Sequence, residues 1–153
     1  MSTVLAPLAL LTNGIAAGIM TATVIGIVPL MLTLPYERYV QTVHFLWPRF
    51  DPVMPLTNGL TVLLDLLLAL TAGDGLAQAG FATAGALLLC VMGISITKNV
   101  PVNRYVKSLS PAAQPPDWAA TDPRRRWRAW NTTRTSIALL AFATNIVATV
   151  RLG

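Results

Sequence analysis

One histidine, one cysteine and six carboxylates are all that 153 residues offer to metals, disulfides and acid–base chemistry. His44 alone excludes histidine-rich copper, di-iron and bis-histidine haem centres within one chain. Glu37, His44 and Asp51 match no metal-ligand spacing, so no metal is expected. Cys90 alone excludes an intrachain disulfide, and its apolar neighbours predict a small, unreactive core residue. Charge is equally scarce. Only 11% of residues are Asp, Glu, Lys or Arg, where soluble domains carry roughly a quarter, so this surface cannot be wetted all round. Also missing are a phosphate-cradling glycine-rich loop, a nucleophile elbow and a dinucleotide fingerprint. Nothing in the chain points to a bound cofactor.

What the chain has in quantity is oil. It is 54% hydrophobic, with a mean hydropathy of +0.61. Four runs are long enough to cross a bilayer, which takes about 20 residues per helix: roughly 4–32, 53–72, 76–98 and 129–152. No charged side chain falls between Thr3 and Pro35, and no basic n-region marks a cleaved signal, so the first run is read as a span. Ala72-Gly73-Asp74-Gly75 is a tight turn that makes the second and third runs an antiparallel hairpin. The expected fold is therefore an all-α integral membrane protein, one domain over 1–153, built as a four-transmembrane-helix bundle.

The net charge is +5, but the cations flank the oily runs. Arg38, Arg49, Lys98, Arg104, Lys107, Arg124, Arg125, Arg126, Arg128 and Arg134 fall on one side of a four-span topology, and only Arg151 on the other. The positive-inside rule then places both termini outside and the two larger loops, 35–52 and 99–128, in the cytoplasm of a multi-pass cell-membrane protein. The natural partners of such charges are anionic headgroups. No nucleic acid is expected, because a basic patch needs an aqueous face to present it. Tyr36, Tyr39 and Trp47, with Trp118, Trp127 and Trp130, lie where an interfacial aromatic belt forms. Gly14, Gly18, Ala82, Gly85 and Gly93 are the candidates for close helix contact.

Amide and ionisable side chains inside a span are costly and usually face a partner or a cavity. Asn13, Asp65 and Asn145 lie at similar depth nearer the membrane middle, roughly seven to nine residues from the outer ends of their spans, and predict a buried polar cluster, with Asp65 accepting from the amides. It serves as helix glue, a proton relay or a pocket floor. Nearer the inner surface, Asn58 lies close to the start of the second span and Asn99 close to the end of the third, and Asn99 and Asn103 share a face if the helix continues past Pro101, where a kink or an end is expected. Trp127, Asn131 and Arg134 form one stripe of the fourth span. His44 and Trp47 stand three apart in a segment that can fold as an amphipathic interfacial helix.

Thr97-Lys98-Asn99-Val100-Pro101-Val102-Asn103, followed by Trp127-Arg128-Ala129-Trp130-Asn131-Thr132-Thr133-Arg134, resembles the paired motif of the anthrone oxygenase-like family of small four-helix membrane proteins. The resemblance covers essentially the whole chain. It implies a membrane-embedded oxygenase or monooxygenase acting on a small lipophilic aromatic, anthrone-like substrate, with molecular oxygen as co-substrate. It also implies that Asn99, Asn103, Asn131 and Arg134 are site residues. His44 is added as the candidate base from the residue inventory, with Trp47, Asn58, Trp127 and Trp130 as candidate substrate contacts. The alternatives are a small transporter, an assembly protein without turnover, and a motif that merely locks helices together with Arg134 snorkelling to the headgroups. A homo-oligomer is compatible with all of these.

Overall fold

The computed structural model describes residues 2–152, all of the regular structure being helical. Its order is α1 (Ser2–Ala22), a π-helical segment (Thr23–Ile27), α2 (Val28–Thr33), α3 (Tyr36–Phe50), α4 (Val53–Thr71), α5 (Gly75–Ile94), a second π segment (Ser95–Asn99), α6 (Val100–Ser108), α7 (Trp118–Thr121) and α8 (Arg124–Val150). Four near-continuous rods result, Ser2–Thr33, Tyr36–Thr71, Gly75–Ser108 and Trp118–Val150, each long and apolar enough to cross a membrane. This is a multi-pass membrane protein. The connection 35–52 is helical, as its amphipathic pattern predicts. The stretch 99–128 holds α6 and α7, so the third rod runs past Pro101 without ending.

Around the bundle α1 packs on α4 and α8, and α5 packs on the same two helices. The interior is made of small side chains, with Ala9, Ala16, Ala77, Ala84, Ala138 and Ala141 fully buried. Without a hydrophobic force between helices in lipid, such residues gain stability by bringing backbones close. At Gly80 a Cβ would lie 2.8 Å from the Ala148 methyl, and at Gly85 3.4 Å from Asp65 Cβ. Gly14 meets the Phe142 ring, but Gly18 and Gly93 face open space and Ala82 is exposed. Gly18, Gly93 and Ala82, expected at helix contacts, therefore make none, whereas Gly80 does. Cys90, expected in the core, is instead exposed on the outside of the bundle, among leucines such as Leu89 and Leu140 that cover the lipid-facing surface.

Both π segments immediately precede a Val-Pro pair, Val28-Pro29 and Val100-Pro101. Proline offers no N–H and crowds the carbonyl four residues back. The chain widens instead of breaking, with Val28 N–H reaching Thr23 O and Val100 N–H reaching Ser95 O. Asp74 caps α5 by accepting from Ala77 N–H at 2.9 Å, which closes the hairpin expected at Ala72–Gly75.

At the end of the bundle that carries α3 and α6, these two amphipathic helices pack together over Tyr39, Val40, Val43, Val102, Val106 and Trp118. Trp118 meets Tyr36 edge-on at 4.8 Å, and Tyr36 donates to Ser110 O at 2.9 Å. Tyr36, Tyr39 and Trp118 are therefore core residues and not interfacial anchors. Arg124 ties the rods together. It pairs with Asp122 at 2.6 Å and donates to Met31 O at 3.1 Å, in the last turn of the first rod, and to Leu34 O at 2.7 Å, just beyond it.

Candidate functional site

Where α3 passes under the bundle it leaves two adjoining chambers that share Met20, Trp47, Phe50, Met54, Asn103 and Arg134. One is largely oily, with Ile19, Ile27, Met31, Val43, Leu46 and Trp127 among its walls. The other adds the polar groups Asp51, Asn58, Ser95 and Asn99. All four methionines of the described residues, Met20, Met31, Met54 and Met92, line this space. Thioethers are polarizable and flexible, which suits a wall that closes around a flat ring. The π segments supply Thr23 and Ile27 to the first chamber and Ser95 and Asn99 to the second.

Arg134 is the centre of the polar part. Its Nε and Nη2 donate to Asn131 Oδ1 at 3.2 and 2.7 Å, and its Nη1 donates to Ser95 Oγ at 2.9 Å. Three of the five guanidinium N–H groups are thus engaged, leaving two. Among the described residues the only ion pair is that of Arg124 with Asp122, so Arg134 has no acid within ion-pair distance, although Asp51 lines the same chamber. Asn131 is itself held by donation to Trp127 O at 2.8 Å. Asn99, 1% exposed, finds no partner among the described residues for either amide atom, and Asn58 finds none for Oδ1. A group that enters the second chamber therefore meets a cation, the Asp51 carboxylate, unspent N–H donors and unspent carbonyl acceptors.

The residues singled out from the sequence divide as follows. Asn99, Asn103, Arg134, Trp47, Asn58 and Trp127 line one or both chambers, and Asn131 stands behind Arg134. Trp130 lines neither and receives Lys98 over its ring at 5.4 Å. His44 also lines neither. It is half-buried between the wall residues Val43 and Trp47 in sequence, with Nε2 buried and unpartnered among the described residues. Asn13, Asp65 and Asn145 lie deeper, all fully buried. Asn145 donates to Asp65 Oδ2 at 3.2 Å, whereas Asn13 makes no hydrogen bond to either. Ser95 was not singled out, although it stands one turn before Asn99 on the same face. The methionines carried no signal beyond their size. Among the described residues no group of three or more His, Cys, Asp or Glu side chains could hold a metal ion.

These chamber walls fall largely within one stretch, and residues 45–144, well over half the chain, match the model of the anthrone oxygenase family. The chain belongs to that family. The matched stretch contains both halves of the Asn99–Asn103 and Trp127–Arg134 motif, together with Trp47, Asn58 and Ser95, and it begins one residue after His44. Compared with curated proteins and with solved structures, the chain matches none. Family membership suggests an oxygenase-type function.

Proposed function

We propose that this protein is an oxygenase working inside the bilayer on a small lipophilic aromatic substrate of the anthrone type. Molecular oxygen is the second substrate, no cofactor is needed, and the α3–α6 end faces the cytoplasm. The observation that carries this reading is Arg134, a cation without an acid partner, braced by Asn131 and Ser95 against a cavity walled by methionine, tryptophan and phenylalanine. The flat rings occupy the oily chamber. The substrate oxygen points to Arg134, with Asn99, Asn103 and Asn58 as hydrogen-bonding neighbours.

The chemistry follows from the charge that must develop. Removing a proton from the methylene opposite the carbonyl leaves an electron-rich anion whose negative charge rests largely on that carbonyl oxygen. A fixed guanidinium stabilises the anion more than the neutral substrate, and it does so most strongly where water is excluded. The anion is then oxidised by O₂ directly. One oxygen atom becomes the new carbonyl, and the other leaves as water with the two methylene hydrogens. His44 is the proposed proton acceptor, as the one imidazole of the chain on the helix that supplies Val43 and Trp47; to act it has to turn towards the oily chamber.

The test uses purified protein in nanodiscs with an anthrone and ¹⁸O₂. The expected result is one labelled oxygen in the quinone product at a rate well above the spontaneous one. A rate no different from protein-free nanodiscs refutes the proposal.

A further inference from the structure

On the outer face of α8, away from the chambers, lies an open groove lined by Arg125, Arg128, Thr132, Thr133 and Ser136, with Leu32 of the first rod opposite. The two arginines are three residues apart and so share a helix face. Both are exposed, and neither has an acid within ion-pair distance among the described residues. Their neighbour Arg124 is committed to Asp122 and to the carbonyls of Met31 and Leu34. Below the arginines the exposed hydroxyls descend the same face. Thr132 and Thr133 donate to the carbonyls of Arg128 and Ala129, both at 3.1 Å, which leaves their oxygens free to accept.

A polar stripe on a surface that faces hydrocarbon is costly unless something meets it. α8 belongs to the least oily of the four rods, at a hydropathy of 1.3 against 1.8 to 2.2 for the others. Ser136 follows Arg128 by eight residues, a descent of about 12 Å. That interval matches a phospholipid read from its phosphate through its glycerol and esters to its first methylenes. Paired guanidiniums hold a phosphate by charge-assisted, fork-shaped hydrogen bonds, and Leu32 offers an oily wall for the chain.

We propose that this groove is a binding site for an anionic phospholipid, with the phosphate between Arg125 and Arg128 and the ester region along Thr132, Thr133 and Ser136. The site is separate from the chambers and does not depend on the reaction proposed for them.

The sequence supplies its own control. Arg126 lies between the two arginines, and Arg104 is on α6. Both are exposed, and neither lines the groove. Full-length protein is reconstituted in phosphatidylcholine with phosphatidylglycerol, extracted, and its retained lipid counted by native mass spectrometry. R125Q/R128Q is expected to lower retained phosphatidylglycerol roughly tenfold, since each basic contact to an anionic headgroup contributes a several-fold preference. R104Q/R126Q removes the same charge and is expected to retain lipid like the wild type. T132V/S136A keeps every charge and is expected to lower retention several-fold. It also provides a second reading should the arginine variant fold poorly by circular dichroism. Equal loss in the two arginine pairs means general surface attraction and overturns the site, as does unchanged retention in T132V/S136A. Displacement of the lipid by inorganic phosphate at equal concentration overturns the lipid assignment in favour of a phosphate site.

Discussion

Replacing Arg134 with methionine should separate activity from stability. Methionine keeps the length and apolar stem of the side chain but removes the cation and its three hydrogen bonds to Asn131 and Ser95. Two effects on folding then oppose each other. Asn131 Oδ1, on a side chain 1% exposed, loses its donors, which costs about 1–3 kcal/mol. Against this, a cation without an acid partner leaves a largely apolar cavity, and replacing buried charge by well-packed apolar atoms is often neutral or stabilising by about 1–4 kcal/mol. The net change in stability should therefore lie within about 2 kcal/mol of zero. Catalysis has no such compensation. Loss of one oxyanion-stabilising group removes about 2.7–4 kcal/mol of transition-state stabilisation, a fall in kcat of about 100- to 1000-fold. The assay is oxygen uptake with an anthrone in nanodiscs beside thermal unfolding of the same sample. Turnover within about threefold of the wild type would show that the guanidinium stabilises no developing charge. A large loss of both activity and melting temperature would show instead that it is helix glue.

Further outcomes follow from other contacts. Gly80→Ala should lower stability by about 1–3 kcal/mol, because its Cβ would stand 2.8 Å from that of Ala148; an unchanged melting temperature contradicts the close α5–α8 packing. Arg124→Gln should cost about 1.5–3 kcal/mol through the lost bonds to Asp122, Met31 O and Leu34 O, and the melting curve again decides. Asn145→Ala should cost about 1 kcal/mol, the scale of hydrogen bonds between membrane helices, while Asp65→Asn should cost less because an amide oxygen still accepts from Asn145. Loss of turnover on Asp65→Asn at unchanged stability would give the deep cluster a catalytic part. Cys90 should react with a lipid-soluble maleimide and resist a charged one, since it sits among exposed leucines; the reverse pattern would place it in water.

The spans and the motif residues were legible because their signals are chemical. Uncharged runs of membrane length have few alternative fates, and an asparagine or arginine in oil has to find a cavity or a partner. What stayed hidden was which way uniformly apolar helices turn. In α5, where Leu, Ala and Gly occur on every side, no polar face marks the outside. Cys90 and Gly93 therefore look as internal as Leu88 and Gly85, and Gly80 looks no more internal than Ala82. Trp118 has the composition of an interfacial anchor, and only the packing of α3 on α6 shows that it is core. Ser95 was obscured by its size: one hydroxyl in a long oily run usually bonds its own backbone, as Ser95 also does to Val91 O at 2.8 Å. That Arg134 reaches it from another rod is tertiary information.

The π segment before Val100-Pro101 also fixes the phase of the third rod. Val91, Ser95, Asn99 and Asn103 are spaced by four. In an ordinary α-helix each such step overshoots a full turn by about 40°, so the last of them would have rotated about 120° away from the first. The wider turn absorbs that error and keeps the row on the inner wall. Shortening Ser95–Asn99 by one residue would turn everything beyond it by about 100°. The half of the bundle at the α4–α5 turn would be untouched while Asn103 was carried out of both chambers. The lining of both chambers therefore depends on the number of backbone units in one five-residue stretch as well as on the identity of the side chains.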